Sequence, residues 1–177
     1  LISTALIGAS AIRALGSSAQ QADWLPRIAR GELLTALALE EGPHHRPHRI
    51  ETTVTADGDS LVLQGEKTFV LDGHVADLLL VVARAHGDVN DPDGLSLIAV
   101  PHNAQGLDVT RTRMVDSRNA ANVTLDSVRV PADHALGTLG QAGAGLDSVY
   151  DAARVGFAAE MLGGACEVFE RTLAYLK

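Results

Sequence analysis

The stretch IETTVTADGDSLVL, residues 50–63, alternates β-branched or apolar residues with polar ones on both sides of the triplet Asp57-Gly58-Asp59. Alternation with a period of two predicts strands that are buried on one face. An Asp-Gly pair between two such runs predicts a tight turn. This stretch therefore predicts a pair of strands joined by a turn.

The same texture continues on both sides of this pair. Turn formers at Asp72-Gly73, Asp93-Gly94 and Gln105-Gly106 separate short apolar or alternating runs. The runs predict strands at residues 33–39, 50–56, 60–63, 67–71, 78–85, 95–101, 107–112 and 122–130. About eight short strands at this spacing predict an antiparallel β-barrel or a two-sheet sandwich.

Helical patterns flank the β-region, so the fold class is predicted to be α+β. Residues 2–15 form a helical lead-in, and Ser17 and Ser18 are candidate caps for a short second helix. Pro26 is expected only at a helix start or a turn. Residues 146–176 carry apolar positions at helical spacing and predict a long amphipathic helix, in which Gly163-Gly164 favours a close helix-helix contact.

Composition and charge exclude several function classes. The 177 residues contain 14 Lys plus Arg and 22 Asp plus Glu, a net charge of −8. This balance argues against nucleic acid as a partner and against a basic membrane anchor. No run is long and apolar enough for a membrane-spanning helix. Without an intrachain disulfide partner for Cys166, the default compartment is the cytoplasm.

The two ends of the sequence predict a longer natural polypeptide. The chain starts at Leu1 without Met or a charged leader, so no signal peptide is expected. The final helical pattern runs to Lys177 without a Gly cap or a Pro stop. We therefore expect the biological chain to continue.

The densest polar feature is EEGPHHRPHR, residues 40–49, which we call the histidine loop. Its three imidazoles and neighbouring carboxylates could bind zinc. Its two prolines, however, favour an extended loop over a helical face that would align imidazoles. A solvated loop, or an anion-contacting loop that uses Arg46 and Arg49, are the alternatives. No metal site is predicted.

Two further features have both functional and structural interpretations. The glycines of residues 137–145 resemble a phosphate cradle, but the strand before them is not of the buried parallel type, which favours a linker over a dinucleotide-binding loop. Asp151 and Arg154 lie three residues apart on the final helix. They form either an intrahelical ion pair or a ligand-facing arginine with its neighbour.

Several segments together resemble the acyl-CoA dehydrogenase family over essentially the whole chain. In family order they are QQADWLPRIARGE (20–32), ADGD (56–59), LQGEKTF (63–69), LDSVRVP (125–131), LG (136–137), DAAR (151–154) and AAEMLG (158–163). The resemblance implies an acyl-CoA dehydrogenase-like fold divided into three parts. Residues 1–32 would end an N-terminal helical domain, residues 33–137 would form the middle β-domain, and residues 138–177 would hold a linker and the first helix of a C-terminal helical domain.

The resemblance also implies an activity and its partners. Family members are oxidoreductases of fatty acid or lipid metabolism that remove hydrogens from the α and β carbons of an acyl-CoA thioester. FAD accepts the hydride, and electron-transfer flavoprotein or an equivalent acceptor reoxidises it. Members usually assemble as homo- or heterotetramers. Related flavin oxidases and monooxygenases share the fold, so chemistry does not follow from fold alone.

The flavin-contacting positions match only in part. The resemblance assigns cofactor contacts to Leu39, Glu40, Phe69, Val70 and Leu71. The aromatic residue is kept at Phe69, whereas Leu39 and Leu71 stand where the family has hydroxyl side chains. The loss of two hydroxyl donors removes about 1 to 3 kcal/mol of polar interaction with a flavin.

The catalytic position departs further from the family. The glutamate base lies beyond this chain in most members, and in some branches it occupies the position of Ala153, so no base is predicted within these residues. Asp151 and Arg154 match substrate-side positions.

Two hypotheses follow from these matches. The chain belongs either to an acyl-CoA dehydrogenase that binds FAD and acyl-CoA, or to a non-catalytic, FAD-deficient subunit that pairs with an FAD-bearing homologue.

Overall fold

The N-terminal region is helical and packs on the rest of the molecule. A computed structural model describes residues 2–116 and 118–176. A π-type helical segment, Ile2–Gly8, runs into α1 (Ala9–Leu15), and α2 (Ser18–Ala29) follows. The amide of Gln20 donates to Ser17 Oγ at 3.2 Å, and the Gln20 side chain accepts from the Ser17 amide at 2.8 Å. This capping box confirms Ser17 as the helix cap.

The expectation for Pro26 is wrong, because the residue lies inside α2. Proline has no amide hydrogen for the preceding turn, but it does not block the next one. Its carbonyl accepts from the Arg30 amide at 3.1 Å, near the helix end. The interruption therefore falls close enough to the C-terminus for α2 to continue to Ala29.

The central region contains eight strands within the described residues. Their bounds are β1 (Thr35–Ala38), β2 (Thr53–Asp57), β3 (Ser60–Leu71), β4 (Leu78–Arg84), β5 (Leu95–Pro101), β6 (Leu107–Arg113), β7 (Asn119–Pro131) and β8 (Ala135–Leu136). The β2–β3 pair forms the predicted antiparallel hairpin around Asp57. The runs at 60–63 and 67–71, predicted as two strands, form one strand with irregular pairing to β7.

The α+β fold is confirmed as a sandwich-like arrangement, whereas the barrel alternative is wrong. The strands follow the order β6-β7-β3-β2-β4-β5-β8, with β1 also paired to β4, and this path is open at both ends. The expectation of antiparallel pairing is wrong for β1, which runs parallel to β4. β4 is buried along its whole length, as is typical of a strand covered on both faces.

The two faces of β4 contribute to separate hydrophobic cores. Leu78, Leu80 and Val82 pack with the helices, and the first core also contains residues of β1 and β5. Leu79 and Val81 point to the second core, which β3 and β7 close from the other side. The helices and sheet thus meet at β1 and β4.

The last helix, α3 (Gly143–Tyr175), begins inside the glycine-rich stretch that was expected to be a connector. Its first turns bury Leu146, Val149 and Tyr150 in the first core. Farther along, most side chains are exposed. The close contact expected at Gly163-Gly164 is not made by any described residue, since nothing approaches either position within 4 Å. Over the described ranges, no helix combines the length and apolarity needed to cross a membrane.

Candidate functional site

A cavity of about 360 Å³ lies where the end of β1, the end of β3, the N-terminal helix and α3 meet. Sequence-predicted residues from three distant segments line it: Leu39, Glu40, Phe69, Leu71, Ala153 and Arg154. Ile7, Leu37 and Phe157 supply much of the apolar remainder. The positions that the family resemblance assigned to cofactor and substrate thus share one cavity.

A larger cavity of about 870 Å³ adjoins the first one. Glu40, His45 and Phe69 line both cavities. The larger cavity extends past Thr68 and Asn122 and is bordered by the histidine loop. The two cavities therefore meet at the Glu40, His45 and Phe69 side chains.

Phe69 is held in an uncommon conformation at this junction. Its φ of 53° lies in the left-handed region, within the irregular pairing between Lys67 and Val70. Its amide donates to Asn122 Oδ1 at 3.4 Å, and its side chain is about half exposed. A bulky residue in this region costs about 1 to 3 kcal/mol, and such strain clusters at ligand sites. The geometry presents an aromatic face to the cavities.

Glu40 and His45 form a carboxylate-imidazole pair at the junction. His45 Nδ1 lies 2.5 Å from Glu40 Oε1, and Glu40 Oε2 accepts from the Arg46 amide at 3.3 Å. The Glu40 side chain is 20% exposed. The wall of the smaller cavity therefore carries an acceptor-only carboxylate between the apolar side chains of Leu39 and Leu71.

Two predicted site residues lie apart from this arrangement. The Val70 side chain is 1% exposed and packs in the second core, so its backbone alone remains available to a cofactor. Asp151 does not line the cavity; its Oδ1 accepts from Arg154 Nη1 at 2.6 Å, and both side chains are mostly exposed. The intrahelical ion pair is therefore formed, while Arg154 also borders the cavity.

A buried ion pair behind the cavity wall was not identified from the sequence. Lys67 Nζ donates to Glu41 Oε1 at 2.7 Å and to the Leu39 carbonyl at 3.1 Å, and Lys67 is fully buried. Glu41 also accepts from the amides of Glu51 at 2.5 Å and Thr52 at 2.9 Å. The pair fixes the start of the histidine loop. Lys67 shares strand parity with the buried Leu61 and Leu63, a signal that could have revealed it.

Burial and pairing act in opposite directions on this pair. Burial lowers the pKa of Lys67 to about 8, although the Glu41 carboxylate partly offsets the effect. Burial also opposes ionisation of Glu41, but the charge of Lys67 and the hydrogen bonds from Lys67, Thr52 and Glu51 outweigh it and hold the Glu41 pKa below its ordinary value. The carboxylate thus stays ionised at neutral pH.

Arg84 fixes the other end of the histidine loop and was also missed. It is 5% exposed, and its guanidinium donates to six backbone carbonyls. Two belong to His48 and Ile50, at 3.1 and 3.0 Å. The others belong to His86, Val89, Asp91 and Asp93. Arg84 joins the end of the histidine loop to residues 86–93.

Tyr150 is a third residue that sequence reasoning missed. It borders the smaller cavity and is 4% exposed, and its hydroxyl has no hydrogen-bond partner within residues 2–116 and 118–176. Burial raises its pKa, so the hydroxyl keeps its proton. The His48 ring lies edge-on to it at 6.5 Å between centroids.

The remaining sequence alternatives can now be placed. The described part of the chain holds no group of three or more His, Cys, Asp or Glu residues arranged for a metal ion. The glycine stretch follows β8, which pairs antiparallel with β5. That context differs from the parallel βαβ unit of a dinucleotide-binding loop.

Comparison with known proteins gives a consistent family match. A family model described as "Acyl-CoA dehydrogenase, middle domain" matches residues 39–128. Acyl-CoA dehydrogenase FadE12 of Mycobacterium tuberculosis is 32% identical over 174 residues, which cover 97% of this chain and 45% of that protein. The chain thus spans about half the length of the curated relatives it matches.

Solved structures show the same likeness. A glutaryl-CoA dehydrogenase from Mycobacterium smegmatis in complex with FADH2 has a TM-score of 0.84 and 28% identity, with 95% of this chain and 43% of that chain covered. The ChsE4-ChsE5 complex from Mycobacterium tuberculosis has a TM-score of 0.74 and 25% identity, with 82% and 38% covered. Sequence, fold and the position of the cavity agree: this chain belongs to the acyl-CoA dehydrogenase family.

Proposed function

We propose that this chain is part of an FAD-deficient subunit of a heteromeric acyl-CoA dehydrogenase, which pairs with an FAD-bearing homologue. The observation that carries the proposal is the Glu40 carboxylate, which His45 holds against the cavity that gathers Leu39, Phe69 and Leu71. The similarity to the ChsE4-ChsE5 complex supports pairing between different chains. An assembled protein of this kind would act on acyl-CoA thioesters through its partner's cofactor.

The polar lining of the cavity does not fit a flavin ring. The polar edge of the ring presents several acceptor atoms and a single N–H, so it needs donors on the protein. Leu39 and Leu71 offer no side-chain donor, and Glu40 offers only acceptor atoms when ionised. Acceptors that lose water without gaining a donor are unfavourable by about 1 to 3 kcal/mol each. These residues therefore favour a subunit without its own FAD.

The position of the family base supports the same proposal. Ala153 borders the cavity in place of the glutamate that some branches carry there. A methyl group cannot remove the α-proton of a thioester. The neighbouring Arg154 still reaches the cavity and is proposed to contact an acyl-CoA or the partner subunit.

The colour of the intact protein tests this proposal. Full-length protein purified alone should be colourless, and co-expression with an FAD-bearing homologue encoded beside its gene should give a yellow complex. Stoichiometric flavin absorbance in the protein purified alone would rule the proposal out.

A second candidate is an FAD-bearing acyl-CoA dehydrogenase. The aromatic face of Phe69 and the larger cavity beside it favour this function, because together they offer space and a stacking surface at the position the resemblance assigns to flavin. The FADH2 complex of the similar glutaryl-CoA dehydrogenase also supports it. When bound, FAD would supply hydride acceptance, and Phe69 with the backbone near Glu40 and Val70 would hold its ring.

A further inference from the structure

The charge of one side chain separates the two candidate functions. Glu40 lies at the junction of the two cavities, and its carboxylate is tied to His45 Nδ1 at 2.5 Å and to the Arg46 amide at 3.3 Å. The rest of the cavity wall near it is apolar or backbone. Any ligand that extends from one cavity into the other must therefore pass this carboxylate.

The surrounding hydrogen bonds hold Glu40 in place. Its carbonyl accepts from the Thr68 amide at 2.7 Å, which joins it to β3. On either side, Lys67 Nζ binds the Leu39 carbonyl and the Glu41 carboxylate. Since the backbone is fixed before and after Glu40, its side chain cannot leave the wall by a movement of the loop start.

We propose that Glu40 is the specificity-determining residue that makes this cavity reject a flavin ring, and that its charge, not the cavity's shape, decides the outcome. The inference rests on the proposed function and gives its cause at residue level. The space and the aromatic face are present, but an ionised carboxylate meets acceptor atoms with acceptor atoms. A neutral amide of the same shape would offer N–H donors instead.

The structure offers a competing cause that the experiment must separate. Leu39 and Leu71 also lack donors, so the loss of hydroxyl groups at these positions could by itself prevent binding. If the missing hydroxyls decide, removing the charge of Glu40 has no effect. If the charge decides, the change at Glu40 alone is sufficient.

The test is a titration of the full-length protein with FAD, followed by flavin fluorescence. Glu40→Gln keeps the side-chain shape and should bind FAD at least about tenfold more tightly than the unchanged protein, which corresponds to about 1.4 kcal/mol. His45→Gln removes the imidazole but leaves the carboxylate, so FAD affinity should not rise. His44→Gln is the matched loop control, because His44 borders the larger cavity and is not the partner of Glu40.

A second variant keeps the inference falsifiable. Glu40→Thr removes the charge and adds a hydroxyl, and it decides the matter if Glu40→Gln does not fold. Folded variants that bind FAD no more tightly than the unchanged protein would overturn the inference while leaving the FAD-deficient subunit intact as a proposal. If the unchanged protein already carries flavin and Glu40→Gln binds it more tightly, the proposed function fails and the inference stands.

Discussion

The two ends of the histidine loop are anchored by buried cations that work differently. At the start, Lys67 faces a carboxylate, Glu41, and one carbonyl. At the end, Arg84 faces six carbonyls and no carboxylate. Both cations are almost completely buried. One anchor is an ion pair, and the other is a charge solvated by peptide dipoles.

The difference shows how one loop can be fixed to a sheet with two separate risks. An ion pair loses its balance when either partner is neutralised, so the Lys67 anchor depends on pH. A guanidinium offers five N–H groups in a planar fork and satisfies several acceptors at once, and an arginine stays charged at any pH that a protein tolerates. The site residues Glu40 and His45 lie close to the pH-sensitive anchor.

The largest expected effect is at the Arg84 anchor. Arg84→Met should lower the free energy of unfolding by about 5 kcal/mol, because six buried carbonyls lose a charged donor. Chemical denaturation of both proteins measures the difference. Arg129→Met is the matched control: Arg129 pairs with Asp57 at the surface, where both side chains are mostly exposed, and should cost less than about 1 kcal/mol. Equal losses at Arg84 and Arg129 would contradict the anchor role.

The next effect is at the Lys67 anchor. Lys67→Met should lower the free energy of unfolding by about 3 kcal/mol, because it leaves the Glu41 carboxylate, only 11% exposed, without its cation. Adding Glu41→Gln should restore part of the loss, since the amide no longer carries a buried charge. Denaturation of the single and double variants measures this coupling. A double variant less stable than Lys67→Met would show that the pair is not the source of the loss.

A smaller effect distinguishes the anchors by pH. The pKa of Lys67 is lowered to about 8 from an ordinary value of 10.5. Between these two values the unfolded chain binds more protons at this residue than the folded chain does, so the contribution of Lys67 to stability rises with pH. The difference in unfolding free energy between the unchanged protein and Lys67→Met should therefore grow from pH 8 to pH 10.5. The corresponding difference for Arg84→Met should stay flat, and a flat Lys67 curve would remove the contrast.

Local patterns predicted much of the β-region, and long-range pairing explains what they missed. The hairpin around Asp57 follows from alternation and turn chemistry, both of which act between neighbours in sequence. The parallel pairing of β1 with β4 joins residues about forty positions apart, and no local pattern encodes it. The same pairing brings Leu39 and Glu40 toward β3 and α3, so the cavity could be expected only from the family resemblance.

The buried cations were missed for a different reason. Charged residues are almost never fully buried unless they are paired, so Lys67 and Arg84 read as surface positions in a sequence. Their strand parity pointed inward, but their partners are a carboxylate at the loop start and a set of backbone carbonyls, which no composition reveals. The pairing of Asp151 with Arg154, by contrast, was predictable because helix geometry fixes it.

The smallest expected effect on stability concerns Arg154, an exposed cation that contrasts with both anchors. Its side chain is 61% exposed and that of Asp151 is 74% exposed, so water already solvates most of this ion pair. Arg154→Ala should therefore change the free energy of unfolding by less than about 0.5 kcal/mol, and the melting temperature should be nearly unchanged.

The effect of Arg154→Ala on binding should be larger, because the guanidinium also borders the cavity. Weaker acyl-CoA binding by the assembled protein, or weaker subunit association, is the expected result, measured by calorimetry and by sedimentation. Asp151→Ala is the control, since it breaks the same ion pair without removing a cavity residue. If both variants behave alike in every measurement, Arg154 serves only the helix. If only Arg154→Ala weakens binding, the exposed cation acts on the ligand or the partner, whereas the two buried cations act on the fold.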